Sequence, residues 1–184
     1  VARPDGRIAV WCLQPLLEAR SIAPAWLAQA DDDGARRLFT QVFDHIVGTV
    51  NPMLGLDGQL SNWAIAGDGL VYFDVTTPMM RDHTGRDLLD VELFLASLPW
   101  ALRGVVRRLF LSSILDKYYE PRGVVLDFLG NLIKEGFADR LDIGLEVADS
   151  AVAPAIDGGE VQRYYREDAR MWALLQRLRR LDRW

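Results

Sequence analysis

Apolar residues recur at spacings of three and four positions over residues 35–50, which is the pattern of an amphipathic helix. Their positions are Leu38, Phe39, Val42, Phe43, Ile46, Val47 and Val50. The acidic run Asp31–Asp33 comes just before, where a helix N-terminus favours negative charge. Asn51-Pro52 is expected to close the helix. The sequence therefore predicts a helix over 35–50 with one buried face.

Short apolar runs elsewhere predict strands. The first run, Ile8–Leu13, is rich in strand formers and should end before Gln14-Pro15. Two more runs, Trp63–Ala66 and Leu70–Phe73, are joined by Gly67-Asp68-Gly69. Glycine takes the positive φ angles that tight hairpin turns require. We expect one early strand and one central hairpin.

The second half of the chain predicts helices. Asp87 is a good N-cap for a helix that begins at Leu88, and Pro99 should break or kink that helix. Further helices are expected over about residues 102–118, 121–136 and 161–181, with a loop at 149–159. The predicted fold class is α+β, mostly α, with a small β element.

Composition narrows the class of protein. The 184 residues suffice for one domain, half of them are hydrophobic, and 26 acidic against 21 basic residues give a net charge of −5. That balance argues against a general nucleic-acid binder. Five charged residues interrupt the apolar stretch 88–115, so we expect no membrane span there. Cys12 is the single cysteine, which favours a reduced, cytoplasmic setting without disulfides.

Three polar residues flank the predicted hairpin. Asp57 and Asn62 are five positions apart in a turn-rich segment, and Asp74 follows 12 positions after Asn62. Because a hairpin brings its two ends together, these side chains can converge. Carboxylate and amide oxygens are ligands that Mg²⁺ prefers, so Asn62 and Asp74 are the candidate metal ligands. Asp57 is then the candidate catalytic base for an acceptor hydroxyl in phosphoryl transfer.

The pattern Asp-x-x-x-x-Asn, a short hairpin and two hydrophobic residues before Asp74 resembles the catalytic and metal-binding loops of the protein-kinase-like superfamily. Val-Thr-Thr-Pro follows Asp74 in place of Phe-Gly, which is similar to the aminoglycoside and choline phosphotransferase type. The resemblance covers roughly residues 8–135. It implies a kinase-like C-terminal lobe whose hairpin carries the metal site, with ATP and Mg²⁺ as cofactors and a small hydroxylated molecule as substrate.

The resemblance also implies roles for two other segments. Residues 14–17 would form the hinge beside the adenine, with Gln14 and Leu16 as nucleotide-binding residues. The loop after the metal-binding Asp would help to shape the acceptor site, so that Arg81 and His83 contact an anionic substrate. A solvated surface loop is the alternative interpretation of that second segment.

The sequence departs from the family pattern in two ways. Gly55-Leu56 stands before the catalytic Asp, where the family usually has His-Arg or His-Gly. Only seven residues precede Ile8, too few for the small lobe that supplies a glycine-rich loop and a strand lysine. We therefore expect a residual strand and hinge at 1–18, a helical C-lobe at 19–184, and an N-lobe largely absent from this chain.

Three hypotheses follow from these patterns. The first is an ATP-dependent phosphotransferase acting on a small hydroxylated molecule. The second is an inactive kinase-like pseudoenzyme, which would serve as a binding or interaction module and would bind a protein partner or the missing N-lobe through its hinge side. The third is an unrelated helical domain in which Asp57, Asn62 and Asp74 only cap turns.

Overall fold

The computed structural model describes residues 11–67, 69–75, 79–90, 104 and 115–181. Within these ranges the chain forms helices and one two-stranded antiparallel sheet. The elements are α1 (Ala23–Leu27), α2 (Asp32–Thr49), β1 (Trp63–Ala66), β2 (Gly69–Tyr72), α3 (Pro121–Lys134), α4 (Leu141–Ala151) and α5 (Gly158–Leu181). The α+β, mostly α fold class is confirmed.

Helix α2 confirms the prediction made from its apolar spacing. The Asp31 carboxylate caps it by accepting a hydrogen bond from Gly34 N at 2.7 Å, so the helix begins at Asp32 rather than near residue 35. Its buried face consists of Gly34, Ala35, Leu38, Phe39, Val42, Phe43 and Ile46. The helix ends at Thr49, just before Asn51-Pro52, as expected.

The central hairpin also lies where it was predicted. Trp63 pairs with Tyr72 and Ala66 pairs with Gly69, and Gly67 adopts a φ of 62° in the turn. The Trp63 side chain is fully buried, and its ring meets the Tyr72 ring edge-on at a centroid distance of 5.0 Å. This aromatic pair fixes the end of the hairpin that is opposite to the turn.

Helix α3 is the centre of the core. It packs against α2, α4 and α5. The Phe128 ring contacts the rings of Phe39 and Phe43 edge-on, with centroid distances of 5.5 and 5.2 Å. Helix α4 was not predicted, and it extends to Ala151 into the segment expected to be a loop. It lies close to α3, because a Cβ on Gly144 would sit 2.7 Å from Leu129 Cδ2.

Two of the later helices confirm the sequence predictions. Helix α3 begins at Pro121 as expected, and α5 begins at Gly158, three positions before the predicted start, because Asp157 accepts a hydrogen bond from Glu160 N at 2.8 Å. Leu115 and Asp116 are helical and Lys117–Tyr119 form a 3₁₀ turn, at the end of the helix predicted over 102–118. Of the earlier residues of that predicted helix, only Gly104 lies within the described ranges.

Two predicted elements are not found in the described part of the chain. Residues 11–13 form no strand, and residues 8–10 lie outside the description. Residues 88–90 are not helical, and the rest of that predicted helix also lies outside it. Asp87 does not cap a helix; it lies in a bridge with Arg81 and binds the guanidinium of that residue. None of the described helices is long and apolar enough to cross a bilayer.

Candidate functional site

The loop before β1 is packed tightly against the segment that precedes α3. Leu56 N donates to Tyr118 O at 3.1 Å. A Cβ on Gly55 would lie 2.8 Å from Tyr118 O, and a Cβ on Gly58 would lie 2.6 Å from Val124 Cγ1. Since real Cβ atoms do not approach other atoms so closely, glycine at both positions allows the loop to reach its neighbours.

Asn62 joins the two ends of the predicted motif. Its side-chain Nδ2 donates to Asp57 O at 3.0 Å, and its backbone carbonyl accepts from Phe73 N at 3.1 Å. Trp63 Nε1 donates to Gly58 O at 3.1 Å, which fixes the same loop from the core side. Because the Asn62 amide nitrogen is held by the loop, its amide oxygen is the atom that can face a cation.

Asp57 has an unusual electrostatic environment. Burial raises the pKa of its carboxyl to about 6, the charge of Asp127 adds to this shift, and Asp74 adds a smaller contribution. Gln59 N, 3.3 Å from Asp57 Oδ1, and the charge of Lys117 act in the opposite direction. The carboxylate is therefore more basic than an ordinary Asp.

Asp74 shares the environment of Asp57. The charge of Asp74 contributes to the raised pKa of Asp57 and also to the raised pKa of the neighbouring Tyr72. Burial raises the pKa of the Tyr72 hydroxyl, and the charges of Asp74 and then Asp57 raise it further. The structure thus brings the three motif residues to one place, with Asn62 bound directly to the Asp57 backbone.

A magnesium ion can be tested against this donor set. No group of three or more His, Cys, Asp or Glu side chains among the described residues is arranged to hold a metal ion. Mg²⁺, however, usually takes one or two protein oxygens and completes its shell with substrate phosphates and water. The amide oxygen of Asn62 and the carboxylate of Asp74 are donors of this chemical type, and their role as metal ligands stays a prediction.

The two predicted nucleotide-binding residues lie in different surroundings. Gln14 Nε2 donates to Phe73 O at 2.8 Å, which places Gln14 beside the end of β2 and next to Asp74. Leu16 is fully exposed and lines a cleft of about 800 Å³ near the hairpin turn, together with Ala66. None of the three motif residues lines this cleft. Only Gln14 is thus close to the motif, and the nucleotide-binding roles stay predictions.

Arg81 and His83 also lie in different environments. Arg81 Nε binds Asp87 Oδ1 at 3.0 Å, its Nη2 binds Asp116, and its Cζ lies 3.7 Å from the centre of the Tyr119 ring. These contacts tie the loop at residues 79–90 to the segment before α3. His83 is exposed. The assignment of Arg81 and His83 to an anionic substrate stays a prediction.

Sequence reasoning missed a polar cluster next to the motif. Lys117 Nζ lies 2.9 Å from Asp127 Oδ1, and both side chains bond to the Tyr164 hydroxyl. Asp127 and Asn131 are buried in α3, surrounded in sequence by apolar residues. Polar residues four positions apart on the apolar face of a predicted helix were the available signal.

A family model described as a family of unknown function (DUF6206) matches residues 1–183 of the chain. The comparison with curated proteins and the comparison with solved structures each found no match. These comparisons offer no activity to carry over to this chain.

Proposed function

The chain belongs to the DUF6206 family, whose function is unknown, and we propose that it is a kinase-like phosphotransferase that moves the terminal phosphoryl group of ATP to a small hydroxylated molecule. The observation that supports this most is the hydrogen bond from Asn62 Nδ2 to Asp57 O, at 3.0 Å. Together with the bond from Phe73 N to Asn62 O, it holds Asn62 between the backbone of Asp57 and the end of β2 that leads to Asp74.

Asp57 accepts the proton in this proposal. The acceptor oxygen forms a bond to the terminal phosphorus, the bond from that phosphorus to the bridging oxygen breaks, ADP leaves, and the hydroxyl proton moves to Asp57. The raised pKa of Asp57, at about 6, makes its carboxylate a better base than an ordinary Asp. Gln59 N–H, hydrogen-bonded to Asp57 Oδ1 at 3.3 Å, orients the carboxylate.

Asn62 and Asp74 supply oxygen ligands. Mg²⁺, when bound with the nucleotide, neutralises and orients its phosphates. The Asn62 side chain is fixed by the backbone of Asp57, so a ligand held by its amide oxygen would lie at a set position relative to the base. Tyr72, whose pKa is raised by burial and by both carboxylates, stays protonated and adds no further negative charge.

Nucleotide binding tests the proposal most directly. Addition of Mg²⁺ and ATP should raise Tm, because a ligand that binds only the native state stabilises it, by about 2.7 kcal/mol at 100 times Kd. Asp74→Ala should abolish this shift. Asp149→Ala is the matched control, since Asp149 is an exposed carboxylate on α4, outside the site. Differential scanning fluorimetry with ATP alone, Mg²⁺ alone and both together provides the measurement.

A second variant separates nucleotide binding from phosphoryl transfer. Asp57→Asn should keep the nucleotide-dependent Tm shift but lower the transfer of phosphate to hydroxylated acceptors by about 100- to 10,000-fold, because it removes the base. Release of ADP across a panel of small alcohols and sugars is the readout. Absence of any Tm shift in the unsubstituted protein, or an equal shift in Asp74→Ala, would overturn the proposal.

One observation favours a second candidate, an inactive kinase-like binding module. Trp11, Leu13 and Leu16 are 75, 94 and 100% exposed in the segment predicted to form the residual strand and hinge. Gln14 anchors this segment to Phe73 O, at the end of β2. Exposed apolar side chains grouped in this way are typical of interaction sites. A folded protein with neither a Tm shift nor phosphoryl transfer would favour this candidate.

A further inference from the structure

Four polar side chains form a partly buried network, here called the Lys117 cluster: Lys117, Asp127, Asn131 and Tyr164. Lys117 Nζ donates to Asp127 Oδ1 at 2.9 Å and to the Tyr164 hydroxyl, which in turn donates to Asp127. Asn131 Nδ2 donates to Asp127 Oδ2 at 3.1 Å. The cluster joins α3, α5 and the segment before α3.

The charge of Asp127 makes Lys117 necessary at this place. Asp127 is only 3% exposed, and a carboxylate so deeply buried is strongly destabilising unless it is paired and hydrogen-bonded. Lys117 is the cation that pairs with it. The ammonium also faces the rings of Tyr118 and Tyr164, at 4.6 and 4.8 Å from their centres. The position of Lys117 is therefore closely defined.

The backbone next to Lys117 contacts the loop of the candidate site. Tyr118, the residue after Lys117, accepts a hydrogen bond from Leu56 N at 3.1 Å. Leu56 directly precedes Asp57. On the other side, a Cβ on Gly123 would lie 2.3 Å from Lys117 O, so the first turn of α3 closes tightly on the same backbone. A shift of Lys117 would move the carbonyl that holds the Asp57 loop.

We propose that Lys117 is a positioning residue of the candidate site: the Lys117 cluster fixes the Tyr118 carbonyl, and this carbonyl fixes the backbone that carries Asp57. The effect on catalysis rests on the proposed phosphotransferase function. The effect on the loop does not, because it follows from the contacts of the Lys117 cluster alone. The two parts of the proposal can therefore be tested separately.

The experiment compares Lys117→Met, Lys117→Arg and Lys134→Met. Lys134 is the matched control, because it is the other lysine in the chain and is exposed at the end of α3. Lys117→Met should speed hydrogen exchange of the Leu56 amide about tenfold or more relative to amides of α2. The same substitution should lower kcat by about 10- to 100-fold, with little change in KM for MgATP. Lys117→Arg should restore most of both, and Lys134→Met should change neither.

Tyr164→Phe covers the case in which Lys117→Met fails to fold. It removes one hydroxyl from the Lys117 cluster and retains the ring, so the protein should fold and show a smaller effect in the same direction. Unchanged Leu56 exchange in Tyr164→Phe and in a folded Lys117→Met, or an equal change in Lys134→Met, would overturn the proposal. If the unsubstituted protein transfers no phosphate, the proposed function fails, and the Leu56 exchange still decides whether Lys117 positions the loop.

Discussion

Asp57 combines features that favour reactivity with features that reduce stability. Its carboxyl has a pKa of about 6, raised from 3.8 by burial first and by the charge of Asp127 second. A carboxyl whose pKa is higher in the folded than in the unfolded chain stabilises the fold only while it is protonated. The stabilisation is fully present below about pH 4 and is lost as the pH rises through about 6.

Asp57→Asn should therefore stabilise the protein at pH 8. The substitution removes a buried charge, and the shift in pKa corresponds to an upper limit of about 3 kcal/mol in the free energy of unfolding. At pH 4, where Asp57 is protonated in the folded protein, the variant and the parent should differ little. Urea denaturation of both proteins at the two pH values measures the difference. A difference that does not depend on pH would contradict the assigned environment of Asp57.

The sequence was enough to predict that the three motif residues of the candidate site lie near one another. Asp57, Asn62 and Asp74 lie on either side of a hairpin, and local turn chemistry places its two ends side by side. Lys117 and Asp127 could not be added, because their approach to Asp57 depends on how α3 packs against the rest of the chain. No local pattern encodes such a long-range contact.

A helix could be predicted from the sequence where the spacing of its apolar residues matches the positions that it buries. Helix α2 shows helical spacing because its apolar side faces the core along its whole length. Helix α4 has apolar residues at every second position from Leu141 to Val147, a pattern that does not mark a helix. Its fully buried positions are instead the small residues Gly144 and Ala148, four positions apart. Close packing on α2 and α3 determines that helix.

The junction between α3 and the segment before it, where Gly123 meets Lys117 O, gives the clearest prediction for an element. A Cβ on Gly123 would lie 2.3 Å from Lys117 O, a backbone atom that cannot move aside. Gly123→Ala should therefore destabilise the fold by about 1–3 kcal/mol. The control is Gly48→Ala on α2, where a Cβ would meet no atom within 4 Å. It should stabilise the protein by about 0.5–1 kcal/mol through helix propensity.

Urea denaturation of the two glycine variants measures both effects. The two substitutions add the same methyl group to helical glycines, so opposite signs would isolate the contact with Lys117 O. A loss of stability in Gly48→Ala equal to that in Gly123→Ala would contradict this account of the junction.

At the scale of the whole molecule, α3 supports both the core and the candidate site. One side of the helix places Phe128 between Phe39 and Phe43 of α2. The same helix supplies Asp127 and Asn131, the two buried polar residues of the Lys117 cluster. Because neighbouring positions of one helix serve both purposes, the geometry of the site depends on the packing of the core.

Phe128→Ala should therefore reduce stability and also disturb the site. The ring is fully buried, and its removal should lower the free energy of unfolding by about 3–5 kcal/mol. Leu174→Ala, at a position on α5 that is 50% exposed, should change it by no more than about 0.5 kcal/mol. Under conditions where Phe128→Ala stays folded, hydrogen exchange of the Leu56 amide should increase together with that of α3. If Phe128→Ala lost no more stability than Leu174→Ala, α3 could not be the centre of the core.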